Sequence, residues 1–62
     1  MVEVGQRFVL EAGRQSVWEV VGVTTTPDGH RHAQLMSVDP PGDRKTIAAA
    51  ELERGRVFRP QR

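Results

Sequence analysis

The stretch Ser16–Thr25 constrains the fold more than any other part of the chain. Most of its residues are β-branched or aromatic, and such residues suit a pleated strand better than a helix. Strict alternation along a strand would place Trp18 and Val21 on opposite faces. Gly22 falls where a bend or bulge would return Val23 to the face that carries Trp18. We therefore predict a long, sharply bent strand, which is how a small barrel closes on itself.

Shorter β-rich runs flank this strand, and turn residues separate them at intervals of roughly ten residues. A tight turn is predicted at Pro27-Asp28-Gly29 and a proline-containing loop at residues 39–43. Residues 49–53 have high helix propensity, and Gly55 would end that helix after about one turn. The other predicted strands are residues 7–10, 31–38, 44–48 and 56–59.

These elements predict an all-β fold, namely a small five-stranded SH3-like barrel with one short helical turn before the last strand. A chain of this size needs every large apolar side chain that it has for its core. We expect large-to-small changes in the core to cost about 2–4 kcal/mol each. The predicted core consists of Phe8, Trp18, Val20, Val23, Leu35, Ile47, Leu52 and Phe58.

The chain has 62 residues, so residues 1–62 are predicted to form one domain, with residues 59–62 as a frayed basic tail. The net charge of +1 hides an asymmetry: the first 53 residues hold all eight acids and five basic residues, and the last nine hold four arginines. There is no cysteine, which favours the reducing cytoplasm and excludes thiolate metal sites. Neither a signal peptide nor a membrane-spanning segment is expected.

The chain shows a family resemblance at positions that span nearly its whole length. They are Gly5, Phe8, Trp18-x-Val20, Val23, His32-x-x-Leu35, Lys45-Thr46-Ile47 and Leu52. This pattern resembles small bacterial SH3-like or Tudor-like β-barrel proteins of uncharacterised role. The resemblance implies a barrel that binds protein tails or nucleic acid.

The chain has too few aromatic residues for two binding modes of such barrels. An aromatic cage for methylated side chains needs several exposed rings, and so does a groove for proline-rich ligands. This chain has only Phe8, Trp18 and Phe58, and at least two of these rings are expected in the core. We therefore expect neither methylated tails nor proline-rich peptides as ligands.

Few residues of the chain suit catalysis or metal binding. His30-x-His32 would place two imidazoles on one face of a strand near Asp28, but a catalytic zinc site usually needs three protein ligands. No nucleophile–histidine–carboxylate set and no glycine-rich phosphate loop is evident. We predict that the protein is not an enzyme and has no cofactor and no metal site, with both histidines exposed.

Basic residues give one candidate binding surface. If they lie on neighbouring strands and on one face, they would form a basic stripe that contacts phosphates. The alternative is a set of solvated charges balanced by acidic neighbours. The candidate nucleic-acid-binding residues are Arg14, Arg31, Arg44, Lys45 and Arg56.

Apolar residues outside the predicted core give a second candidate surface, which consists of Val9, Val21, Met36 and Val57. In a closed barrel they could cover the second side of a bent sheet; otherwise they form an exposed patch that marks a partner or self-association surface. The function predicted is a small non-catalytic module for protein–protein interaction in the cytoplasm, self-association included. The alternative is a nucleic-acid-binding barrel that uses surface arginines. No membrane partner is expected.

Overall fold

The computed structural model describes residues 2–10, 15–55 and 58–60, and within them five strands form one antiparallel sheet and one short helix precedes the last strand. This confirms the prediction of a mostly β chain with a helical turn before its fifth strand. The elements are β1 (Arg7–Leu10), β2 (Ser16–Thr25), β3 (Arg31–Asp39), β4 (Pro41–Ala48), α1 (Ala49–Arg54) and β5 (Phe58–Pro60).

The last strand returns to pair with the first. The strand order is β4-β3-β2-β1-β5, so β1 has β2 on one side and β5 on the other. Phe8 of β1 is opposite Trp18 of β2, and Leu10 is opposite Phe58 of β5. The long strand β2 belongs to both halves of the sheet, because its first residues pair with β1 and most of its length pairs with β3.

A β-bulge lies in the middle of β2. Val20 is opposite Leu35 and Gly22 is opposite Gln34, so Val21 is an extra residue without a partner of its own in β3. An odd insertion moves the following residues to the other face of the sheet. Val23 therefore packs against the core, as predicted.

The core lies on one face of the sheet, which we call the inner face, and α1 contributes to it. Six of the eight predicted core residues are buried, whereas Val23 and Ile47 are half-buried and pack against the others. Val2, Ala33 and Ala49 are also buried, although they were not predicted to belong to the core. The buried apolar set is Val2, Phe8, Trp18, Val20, Ala33, Leu35, Ala49, Leu52 and Phe58.

Trp18 contacts side chains from both edge strands of the sheet, Phe58 of β5 and Lys45 of β4. Its ring meets Phe58 edge to face, with centroids 6.3 Å apart and planes at 84°, a favoured aromatic geometry. Its indole Nε1 donates a hydrogen bond to Ser16 Oγ at 2.9 Å. The Nζ atom of Lys45 lies 5.1 Å from the Trp18 ring centroid and 5.9 Å from that of Phe58. Lys45 therefore covers the aromatic part of the core with its cation.

The β3–β4 hairpin is tighter than predicted. Residues 39–43 were expected to form a loop, but β3 runs to Asp39 and β4 begins at Pro41. The prediction was wrong because β4 is an edge strand, and a proline is tolerated as the first residue of such a strand. The pairing shifts register nearby, and there buried Ser37 accepts a hydrogen bond from the Asp43 N–H at 2.8 Å.

Helix α1 ends at Gly55, as predicted. Gly55 has a φ of 70°, the left-handed conformation that glycine adopts most easily at a helix C-terminus. The last strand, expected over residues 56–59, is β5 from Phe58 to Pro60. It includes Arg59, which was predicted to lie both at the end of this strand and at the start of the basic tail, while residues 56, 57, 61 and 62 lie outside the described part of the chain.

The predicted turn at residues 27–29 connects β2 to β3. Thr26 and His30 close it: Thr26 N–H donates to the His30 carbonyl at 2.8 Å, and Gly29 N–H donates to the Thr26 carbonyl at 2.9 Å. The Thr26 hydroxyl also donates a hydrogen bond to the Asp28 carboxylate. That bond is the main reason why the pKa of Asp28 lies below its usual value.

Replacing Thr26 by valine is expected to raise the pKa of Asp28 towards that of an unperturbed aspartate. The folded-state pKa is lower than the unfolded one, so the bond stabilises the fold above the unfolded pKa, and that contribution is lost as the pH falls through the folded value. An NMR titration of the Asp28 carboxyl carbon measures the shift. Thr25→Val, an exposed neighbour, is the control, and an equal change in both variants would contradict the assignment.

Candidate functional site

The side of the sheet opposite the core, which we call the outer face, carries exposed apolar residues. Val21 and Met36 are 42% and 37% exposed, although both belong to strands of the sheet. Val21 is exposed because the bulge of β2 leaves it without a partner, and Met36 because it alternates with buried Leu35 and Ser37. Exposed apolar groups close together are typical of interaction surfaces.

A groove of about 300 Å³ crosses β2, β3 and β4. Gln34, Arg44 and Thr46 lie on the outer face by alternation, and Gln34 is directly opposite Thr46. We call it the outer groove; its lining residues are Val21, Gln34, Leu35, Arg44, Lys45 and Thr46.

Gly22 determines how Gln34 lies beside this groove. A Cβ atom at Gly22 would meet Gln34 Oε1 at 2.7 Å, so the glycine lets the amide lie close against β2. There Gln34 Nε2 donates a hydrogen bond to Thr24 Oγ1 at 3.1 Å. The bulge and the glycine after it therefore shape this side of the groove.

The charges around the groove are unbalanced. One row across the outer face contains Arg7, Glu19, Met36 and Arg44, which are opposite one another on successive strands. Arg7 Nε donates to Glu19 Oε1 at 3.1 Å, so these two charges compensate each other. Arg44 is exposed and forms no ion pair with any acid in the described residues. The row therefore ends in an uncompensated positive charge beside Met36.

The predicted basic residues do not share one face. Arg31 and Arg44 lie on opposite faces by alternation, and Arg31 Nη2 donates to the Val2 carbonyl at 3.2 Å. Lys45 lies on the inner face with its cation over Trp18. The other two candidates, Arg14 and Arg56, lie outside the described residues.

Unlike the basic residues, the described residues of the predicted apolar set share one face. Val9, Val21 and Met36 all lie on the outer face, but Val9 is half-buried and is opposite Val17 and Arg59. Val57 lies outside the described residues. Gln34 and Thr46 were not predicted as site residues. Each is two residues from a candidate on the same strand, and this spacing would have identified them.

The histidine pair lies away from the groove. His30 and Asp28 are largely exposed, and His30 Nε2 is 3.6 Å from Asp28 Oδ2. The prediction that both histidines are exposed was wrong for His32, which is half-buried because it lies in β3, whereas His30 precedes that strand. Within residues 2–10, 15–55 and 58–60, no three histidine, cysteine or acidic side chains are grouped as metal ligands would be.

A second cavity of about 310 Å³ lies between the N-terminal segment, α1 and β5. The buried residues Val2, Phe8 and Leu52 form its apolar part, and Gln6, Glu53 and Pro60 complete its lining. Glu53 is the one titratable residue among the described residues that line it. The outer groove, with exposed apolar residues and an uncompensated charge, is the better candidate site.

Among the described residues, no helix is long and apolar enough to cross a membrane. The chain matches no protein-family model, no curated protein and no solved structure, so the candidate site rests on its own geometry.

Proposed function

We propose that this protein is a non-catalytic, cytoplasmic SH3-like barrel whose outer groove binds another protein. The observation that carries the proposal is the exposure of two apolar residues beside the uncompensated Arg44: Val21 lines the groove with it, and Met36 is directly opposite it on the same face. An interface of this kind would bury the apolar side chains and use the polar rim for orientation.

Three features support barrel closure. The bulge at Val21 bends β2, and a bulged strand is the usual device for turning a sheet back on itself. β5 pairs with β1 and follows α1, which packs against β3, β4 and β5. Lys45 of β4 reaches the Phe58 ring of β5, so a side chain spans the two edges of the sheet.

The surface favours a protein partner over nucleic acid. Single-stranded nucleic acids bind aromatic rings by stacking, but Phe8, Trp18 and Phe58 are all buried here. Phosphate binding requires several cations on one surface, whereas Arg44 is the one described basic candidate on the outer face, and Arg7 in the same row is paired with Glu19. The groove is also lined by no histidine, cysteine or acid among the described residues, which supports a binding role without catalysis.

Photo-crosslinking tests the proposal. With a benzoylphenylalanine at Thr46, in the groove, irradiation in the native cells should give adducts that proteases digest and nucleases do not. The same probe at Ala50, exposed on α1, is the matched control and should give few adducts. Met36→Asp should remove most of the Thr46 adducts, because a charge then replaces the apolar contact.

Two results would refute the proposal. Nuclease-sensitive adducts at Thr46 would favour the nucleic-acid alternative. Equal protein adducts at Thr46 and Ala50, unaffected by Met36→Asp, would show that the outer groove is not a specific binding surface.

A further inference from the structure

We infer that the partner of the outer groove presents an acidic side chain next to an apolar one, in a short exposed segment. This inference rests on the function proposed above and specifies the chemistry of the partner. It assigns the acidic side chain to Arg44 and the apolar side chain to Val21 and Met36.

The charge of Arg44 is the first observation behind this inference. The nearest acid in its row, Glu19, already accepts a hydrogen bond from Arg7 on the far side of Met36. Adjacent strands are about 4.8 Å apart, so Glu19 and Arg44 are separated by two strand spacings. A guanidinium with five donors and no carboxylate partner in the described residues is suited to bind a carboxylate from another molecule.

The remaining lining of the groove is the second observation. Val21 offers an apolar wall, while the Gln34 amide and the Thr46 hydroxyl offer hydrogen-bonding groups. Among the described residues no acidic side chain lines the groove, so an incoming carboxylate meets no like charge from them. A volume of about 300 Å³ is at the small end of ligand sites, which suits one or two side chains of a peptide.

The charge of Arg44 also disfavours a second copy of the chain in the groove. A two-fold contact would bring groove against groove, and each carries Arg44 with no ion-pair partner among the described residues. Strand addition along the free edge of β4 is disfavoured as well. Pro41 begins this edge strand and Lys45 points inwards from it, and both features protect an edge from pairing.

Peptide binding followed by NMR tests the inference. The probes are two pools of short blocked peptides, in which leucine, valine or phenylalanine is flanked by glutamate in one pool and by glutamine in the other. The glutamate pool should bind about twofold to fivefold more tightly at low salt, the range for a solvent-exposed ion pair. The amide signals of Val21, Gln34 and Arg44 should shift, and the preference should fade at high salt.

Two variants assign the effect to one residue. Arg44→Gln should remove the preference for glutamate, so that the two pools bind with equal affinity. The matched control is Arg54→Gln on α1, an exposed arginine that pairs with Glu51, and it should keep the preference.

Several outcomes would overturn the inference. These are equal binding of both pools, no binding of either pool, shifts confined to other surfaces, and a concentration-dependent dimer that covers the groove. If groove-specific crosslinks persist while the glutamate preference is absent, the proposed function stands and only the acidic partner is wrong. If the crosslinks are absent as well, both the proposed function and the acidic partner are wrong.

Discussion

Replacing Trp18 by alanine is expected to lower the free energy of unfolding by about 3–5 kcal/mol, the usual cost of truncating a buried aromatic residue. A domain of this length has a total stability of about 3–9 kcal/mol, so the loss is about a third of that stability or more, and it unfolds the variant if the parent lies at the low end of the range. Trp18 is 3% exposed, packs edge to face on Phe58 and lies opposite Phe8. Its removal therefore weakens the packing of β1, β2 and β5 together.

Denaturant unfolding followed by far-ultraviolet circular dichroism measures this loss, because Trp18 is the only tryptophan and its fluorescence disappears with it. Trp18→Phe is the matched control. It keeps an aromatic ring but loses the indole donor to Ser16, so we expect a cost of about 1–2 kcal/mol. If Trp18→Ala were as stable as Trp18→Phe, the central position of this ring in the core would be wrong.

The sequence predicted the strands best where the local pattern and the tertiary environment agree. Arg7–Leu10 and Ser16–Thr25 match β1 and β2 at both ends, because each is a β-rich run bounded by turn residues. The bend at Gly22 was also predictable. Strict alternation would place the apolar Val23 on the face opposite Trp18, and a bend at Gly22 returns it to the core side. The hairpin at residues 39–43 was not, because whether a proline can join a strand depends on that strand being at the edge of the sheet.

The missed core residues have a common cause. Ala33 and Ala49 are small, so their burial comes from close packing of neighbouring elements and not from their own hydrophobicity. Val2 precedes the first strand, and its carbonyl accepts a hydrogen bond from Arg31, which lies far away in sequence. No local pattern of a single sequence contains such a contact.

The candidate site was predictable only in parts. Val21, Met36 and Arg44 were all identified, but in two separate sets, one apolar and one basic. Only strand register shows that Met36 is directly opposite Arg44 and that Lys45 belongs to the other face. A binding surface on a sheet is built across strands, so the residues that form it are distant in sequence.

Replacing Leu52 by alanine is the second large effect that we expect, with a loss of about 2–5 kcal/mol. Leu52 is 1% exposed, and together with Ala49 it anchors α1. A helix of six residues is not stable by itself in water, so α1 depends on this packing. The helix also precedes β5, a strand that pairs with β1 through three residues, so the release of α1 should weaken β5 as well.

Hydrogen exchange distinguishes this mechanism from a uniform loss of stability. In Leu52→Ala the exchange rates of the β5 amides should rise by a larger factor than those of the β2 and β3 amides. The reason is that α1 and β5 open together at a lower free-energy cost than unfolding of the whole domain. Glu51→Ala on the same helix is the matched control: it is exposed and loses its ion pair with Arg54, which is worth at most about 0.5 kcal/mol. Equal stability in the two variants would mean that α1 is not held by Leu52. An equal acceleration in all strands would mean that α1 and β5 unfold only with the whole domain.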